Sequence, residues 1–224
     1  MIEMRDVGFA YPREGALFQG ISLELPRGSF HFLTGPSGSG KTTFLRLCIA
    51  ELLPTQGTLS VFGQDAAGLG RDAIAGLRRR VGVVHQDTQF LDHLPVAENI
   101  ALPMTLAGQP VDMQAIRDLL AWVQMGPQAR AMPPALSGGE RQRAALARAV
   151  ILSPDVILAD EPTGNLDWDM SLRLLQLLIE LNRSGKTVLI ATHDLNLIRA
   201  AKQQVSARVL RIAGGRLQAA GAEL

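Results

Sequence analysis

The sequence predicts an α/β fold built around a parallel sheet. Three observations lead there. Short apolar strands alternate with helices in both halves of the chain, which is the pattern of a parallel sheet with covered faces. The first thirty residues read as short strands and turns. From about residue 88 to residue 152 helical patterning interrupts the alternation, as a helical lobe inserted in the core would.

The totals agree with this. The chain has 224 residues, 47% of them hydrophobic, which suits one large domain or a domain with a lobe. The formal net charge is +1, so no long-range field recruits nucleic acid or anionic lipid, and no nucleic-acid partner is expected. Arg78, Arg79 and Arg80 form the clearest basic cluster. The single cysteine, Cys48, excludes an intrachain disulfide and, among Leu45, Leu47 and Ile49, reads as an inert core thiol. No basic stretch followed by an apolar one opens the chain, so no secretory leader is expected. No apolar run is long enough to span a bilayer.

Taken in order, "ALFQGISLELPRG" alternates in polarity and stops at Pro26 and Gly28, as a strand does. "SFHFLTG" is a second strand, and it delivers the chain to a glycine-rich loop. A helix is predicted from about Thr42 to Leu52, then a turn and strand in "PTQGTLSVFGQD", then a strand from Val81 to Val84. "DMQAIRDLLAWVQM" places Met113, Ile116, Leu119, Leu120 and Val123 on one helical face. "PDVILADEP" reads as a buried strand. "SLRLLQLLIELNRSGKTVLIATHD" gives a helix, a Gly turn and another buried strand. "RVLRIAGGRLQAAG" closes as a hairpin with a Gly-Gly turn.

The loop after "SFHFL" carries the chemistry. Gly35 to Thr42 fits G-x-x-x-x-G-K-[ST] without a mismatch. Successive backbone N–H groups must point inward around a phosphate, and side chains would obstruct its approach. The following helix adds its N-terminal dipole. Lys41 can reach terminal phosphates, and the Thr42 hydroxyl can ligate Mg²⁺. A flexible strand-to-helix turn would also use glycine, but this match has a strand before it and a helix after it.

In "VILADEP", Val156 to Ala159 form a strand whose end presents Asp160 and Glu161. Alone these are two solvated acids. Beside a phosphate loop, Asp160 suits Mg²⁺ and Glu161 suits a base for an attacking water. "LSGGE" spans Leu136 to Glu140. Ser137 and Glu140 fit a helix capping box, and they can serve as one. The cap leaves Gly138 and Gly139 unexplained. Two glycines at a helix start leave N–H groups bare for an anion.

On these residues the chain resembles the ATP-binding cassette (ABC) ATPases over essentially its whole length. The phosphate loop, "LSGGERQR", "ILADEP" and "ATHD" stand in the family's order. The resemblance implies a P-loop NTPase (RecA-like) core with an N-terminal antiparallel β subdomain and an inserted α-helical subdomain. It divides the chain into a nucleotide-binding core, residues 1–87 and 153–224, and a helical subdomain, residues 88–152. It implies two copies packed head to tail with ATP and Mg²⁺ between them. Gly35, Pro36, Ser37, Gly38, Ser39, Gly40, Lys41, Thr42 and Thr43 would hold one side of the nucleotide, and Ser137, Gly138 and Gly139 of the other copy would close on it.

The remaining family positions transfer one at a time. Tyr11 in "FAYP" matches the aromatic that stacks on adenine, although a strand aromatic beside a turn is its plain alternative. Gln86 matches the glutamine at Mg²⁺ and the attacking water. His193 in "ATHD" matches the switch histidine. Asp167 in "GNLD" matches the loop acid that crosses the dimer seam. His31, His85 and His93 match no catalytic position and read as structural. His85 stands where relatives commonly carry an aromatic.

"DEPTGNLD" resembles a branch that serves cell division, lipoprotein release and macrolide export. Other segments, such as "LRRRVGVVHQD" and "ENIALPM", point to its cell-division members. The resemblance implies a separate integral membrane partner that docks near Gln86 and residues 88–104, with Phe90, Leu91, Leu94 and Val96 as candidate contacts. The implied setting is the cytoplasmic face of the bacterial inner membrane, and the implied output is control of peptidoglycan hydrolysis. Lipoprotein-releasing and exporter complexes remain alternatives, as does a soluble non-transport member of the family.

Overall fold

The computed structural model describes residues 1–13 and 15–219. Strands β1 (Ile2–Ala10) and β2 (Ala16–Leu25) pair antiparallel, and β4 (Gln56–Val61) and β5 (Gln64–Asp65) extend them into a four-stranded sheet of order β2-β1-β4-β5. The larger sheet has six strands. These are β3 (Phe30–Thr34), β6 (Val81–Val84), β7 (Val156–Asp160), β8 (Thr187–Ala191), β9 (Ala207–Ala213) and β10 (Arg216–Ala219). Their order is β10-β9-β3-β8-β7-β6, parallel throughout except where β10 folds back on β9.

The helices are α1 (Lys41–Cys48), α2 (Arg71–Arg79), α3 (Val96–Leu106), α4 (Met113–Trp122), α5 (Gly138–Val150), α6 (Trp168–Arg183) and α7 (Leu195–Lys202). Helices α3, α4 and α5 lie between β6 and β7 in the chain, where helical patterning interrupts the strands. Among the described residues no helix is long and apolar enough to cross a membrane.

The side-chain period of two splits each central strand between two cores. Phe30 and Phe32 of β3, with Ile157 of β7 and Val188 and Ile190 of β8, face one core with residues of α3 to α7. Leu33, Leu158 and Leu189 face the other with α1 residues Phe44, Leu45 and Leu47. That second core is completed by Ile2, Met4, Phe18, Ile21 and Leu59 of the antiparallel sheet. So a sheet, with α1, covers the face where alternation alone suggests more helices. Each fully buried Leu, Ile or Phe here contributes roughly 1.5–3 kcal/mol over exposure.

Local differences from expectation have local causes. Helix α1 stops at Cys48, short of Leu52. Ala50 takes a positive φ of 49°, and the amides of Glu51 and Leu52 turn back to the Arg46 carbonyl, which closes the helix. In α4, Ile116 and Leu120 are buried, but Met113 is 50% exposed because it sits at the first turn beyond the reach of the core. Gly214-Gly215 forms the two-residue turn of the β9–β10 hairpin. Ala220 and Gly221, the end of the predicted hairpin segment, lie outside the described residues. Cys48 is fully buried, and burial pushes its thiol pKa well above the ordinary value, which keeps it inert.

Candidate active site

The sheet order decides what meets. The loop after β3, Asp160 at the end of β7 and His193 just after β8 all lie at the carboxyl ends of neighbouring parallel strands. That edge is where open α/β sheets bind ligands. Because β8 lies between β3 and β7, His193 emerges between the glycine loop and the acids.

The loop is shaped for a group from outside. Gly40 has φ 96°, and a Cβ there would lie 2.8 Å from the Phe18 ring. At Gly35 a Cβ would meet the Ile212 carbonyl at 2.8 Å. Lys41 Nζ donates to the Gly35 carbonyl at 3.0 Å and lies 3.5 Å from Glu161 Oε1. Ser39 Oγ is buried without a partner. Thr42 Oγ1 donates to Asp160 Oδ2 at 2.6 Å, so a hydroxyl and a carboxylate share one point. Such hard oxygen donors suit Mg²⁺, which keeps its other positions for water and phosphate.

Glu161 has three partners. Its amide donates to the Ala191 carbonyl at 2.8 Å, its Oε1 meets His193 Nδ1 at 3.0 Å, and Lys41 Nζ approaches the same oxygen at 3.5 Å. Its φ is 44°, a left-handed conformation uncommon for a non-glycine residue. Strain of this kind persists where the surroundings impose it, as at ligand sites. The Glu161 side chain is 12% exposed, whereas that of His193 is 75% exposed and faces outward.

A cavity of about 400 Å³ joins these groups. Tyr11, Leu17, Ser37, Gly38, Lys41, Thr42, Thr43, Gln86, Asp160 and Glu161 line it. Tyr11 OH is within 3.0 Å of Thr43 Oγ1, and its ring meets Phe9 edge-on.

Ser137, Gly138, Gly139 and Asp167 do not line this cavity. The capping box is present. Ser137 N donates to Glu140 Oε2 at 2.8 Å, and Glu140 N returns to Ser137 Oγ at 3.4 Å. The Ser137 backbone and side-chain bonds hold the Glu140 pKa below its ordinary value. Within this chain the double glycine stays unexplained. A Cβ at Gly138 would have only ordinary contact, 3.6 Å from the Asn165 carbonyl, and one at Gly139 would meet the movable end of Met170. Asp167 caps α6 by accepting from Met170 N at 2.8 Å.

No motif reading singles out Gln142. It is 7% exposed, and its Nε2 donates to the Gln86 carbonyl at 2.8 Å. Arg148 donates to the Gln89 carbonyl at 2.8 Å and lies over the Phe90 ring at 4.5 Å. Both bonds tie α5 to the loop that carries Gln86. The only signal was position, since Gln142 follows the double glycine in "LSGGERQR".

Two of the expected partner contacts are corrected. Phe90 and Val96 are 8% and 0% exposed and belong to the main core, with Arg141 and Arg148 of α5 over the Phe90 ring. Leu91 remains 43% exposed and Leu94 is half-buried. An open apolar groove lies at the other end of α3. It measures about 460 Å³ between α2, β6, α3 and α5, with Arg78, Val83, Pro103, Leu106 and Leu152 in its walls. Leu106 at its rim is 80% exposed.

The sequence profile of the ABC transporter family matches residues 18–164, from β2 through the strand that carries the two acids. The chain belongs to the ABC transporter family. The cassette is 41% identical to the cell division ATP-binding protein FtsE of Bacillus subtilis, over 92% of each chain. It is 43% identical to FtsE of Haemophilus influenzae, over 89% of this chain and 93% of that one. It is 40% identical to FtsE of Escherichia coli K12, over 97% of each. Among solved structures, a dimeric ATP-binding cassette in a post-hydrolysis state bound to ADP and Pi superposes with a TM-score of 0.86, at 29% identity over 98% of each chain. A dimeric bacterial ABC transporter cassette gives 0.87 at 31% identity over 97% of each. The P-loop ABC fold read from the motifs is therefore the cassette's fold.

Proposed function

We propose that the cassette binds and hydrolyses ATP with Mg²⁺ and, as a homodimer, works a separate FtsX-like membrane protein in bacterial cell division. The convergence of Lys41, Thr42, Asp160, Glu161 and His193 at one sheet edge carries this reading. The core comprises residues 1–87 and 153–224, and residues 88–152 form the helical subdomain.

Each residue has work matched to its place. The backbone of Gly35 to Thr43 wraps the phosphates, and Lys41 exchanges the Gly35 carbonyl for them. The Tyr11 ring offers its free face to adenine. Thr42 and Asp160, already in contact, hold Mg²⁺ with Gln86, and the metal supplies charge neutralisation at the phosphates. Glu161 orients the attacking water and takes its proton. His193 turns its exposed ring to the terminal phosphate. Lys41 and His193 hold Glu161 in the meantime, so nucleotide entry regroups all three.

Ser137, Gly138 and Gly139 act on the nucleotide of a second copy, and Asp167 lies at the seam. What supports this is that none of them lines the protomer's own cavity and that its own packing does not require the glycines. The dimeric state of both related structures agrees. The membrane partner docks near Gln86 and residues 88–104, with the exposed Leu91 and the groove wall at Pro103 as apolar contacts. The partner places the cassette peripherally on the cytoplasmic face of the inner membrane, and regulation of peptidoglycan hydrolysis is the output.

The test is to purify Glu161→Gln with Mg-ATP from solubilised membranes of the source and identify the captured proteins. A four-span membrane protein with division proteins beside it is the expected result. A lipoprotein-release or exporter permease would replace the biology and keep the chemistry. Ribosomal or DNA-bound proteins alone would overturn the membrane coupling.

A further inference from the structure

Two helices leave the catalytic edge side by side, and each begins with an exposed apolar residue. Helix α6 starts at Trp168, directly after Asp167, and Trp168 is 46% exposed. Helix α7 starts at Leu195, two residues after His193, and Leu195 is 41% exposed. Neither position is needed as a cap, since Asp167 and Asp194 fill those roles. A tryptophan left this open at a helix start suits an interface, where Trp is enriched among the residues that dominate binding.

A groove of about 490 Å³ lies between the two helices. Trp168 and Leu172 line it from α6, and Asn196, Arg199, Ala200 and Gln203 from α7. Leu172 and Ala200 give it an apolar floor that rests on the main core. Its charges are split. Asp169 stands exposed beside Trp168, and Arg199 stands exposed on α7 with a hydrogen bond to Asn196 at 3.3 Å. A two-fold axis sets one copy's acidic end against the other's basic end, which is what an isologous contact requires.

The groove also adjoins the proposed seam, because Trp168 directly follows Asp167 in the chain. We infer that Trp168 anchors a second copy of this chain, each indole entering the other copy's α6–α7 groove, where Arg199 stacks on it. This rests on the ATP-dependent homodimer proposed above, and it names the residue that holds the seam outside the nucleotide.

The test uses the full chain carrying Glu161→Gln and Trp122→Phe, so that Trp168 is the one indole left. Sedimentation velocity and tryptophan emission are followed as Mg-ATP is added. The expected result is dimerisation with a blue shift of the emission. Adding Trp168→Ala weakens the dimer at least about tenfold, the scale of an interface hot spot. Arg199→Glu weakens it too, and Asp169→Arg with Arg199→Glu restores it. Dimerisation with unshifted emission, or a Trp168→Ala dimer as tight as its parent, would overturn the inference and leave the ATP-bound dimer standing. A parent that stays monomeric at saturating Mg-ATP would remove the second copy, and this contact with it.

Discussion

Gln142 on α5 donates from Nε2 to the carbonyl of Gln86 at 2.8 Å. One hydrogen bond thus joins the helix that begins with the double glycine to the loop at the mouth of the proposed nucleotide cavity. A second cavity of about 280 Å³ lies along this junction, lined by Gln86, Gly138, Arg141 and Gln142. Movement of α5 against the core is therefore felt at Gln86.

Gln142→Leu keeps the volume and removes the bond. One neutral hydrogen bond is worth about 0.5–1.5 kcal/mol, so kcat should fall roughly three- to tenfold. The KM for ATP should stay as it was, because Gln142 does not line the proposed nucleotide cavity. Steady-state kinetics normalised to active-site concentration checks this, since loss of folded enzyme alone would leave kcat per site unchanged.

Lys41→Ala should lose ATP binding. A hydrogen bond to a charged group contributes about 1.5–3 kcal/mol, so affinity should drop by roughly ten- to a hundredfold or more. Isothermal titration with ATP reads it. Normal affinity would sink the assignment of the glycine loop.

Much of the site was legible because its residues are contiguous. Gly35 to Thr42 carry strand, loop and helix start in one short segment, and Val81–Val84 is a strand at the predicted bounds. Phe90 and Val96 were not legible, since an apolar residue at a loop looks the same whether it meets a partner or its own core. Asn99 and Gln142 were equally silent. Their meaning lies in carbonyls that only the fold brings near them. The antiparallel β subdomain was expected from the family resemblance, but alternation in β1 and β2 alone does not say which core they cover.

Asn99 carries a structural prediction. It is fully buried, accepts from Leu91 N at 2.8 Å, and donates to the carbonyls of Leu91 and Leu94 at 3.0 and 2.8 Å. It fixes the turn that leads into α3 in the proposed docking segment. Asn99→Leu leaves those groups unpaired and should destabilise the cassette by about 2–4 kcal/mol. Urea unfolding measures the loss, and hydrogen exchange should rise first around residues 88–95.

His31 supplies a pH signature. It is 1% exposed on β3, and its pKa is lowered to about 4, mainly by burial and secondly by the charge of Arg208. The unfolded state therefore binds a proton that the folded state refuses between the ordinary histidine value and about pH 4. Stability should be full above pH 6.5 and fall as pH drops through that window, by up to about 3 kcal/mol. His31→Leu should flatten this part of the pH–stability curve. An unchanged slope in the variant would show that other groups cause it.

Phosphate release by the wild-type cassette and by Glu161→Gln, with ATP binding followed on both, tests whether Glu161 is the base for water attacking ATP at the glycine loop. Equal binding and a loss of turnover of about 10²- to 10⁴-fold in Glu161→Gln are expected. Turnover that survives the substitution, or a wild-type cassette that binds no ATP, would contradict that role.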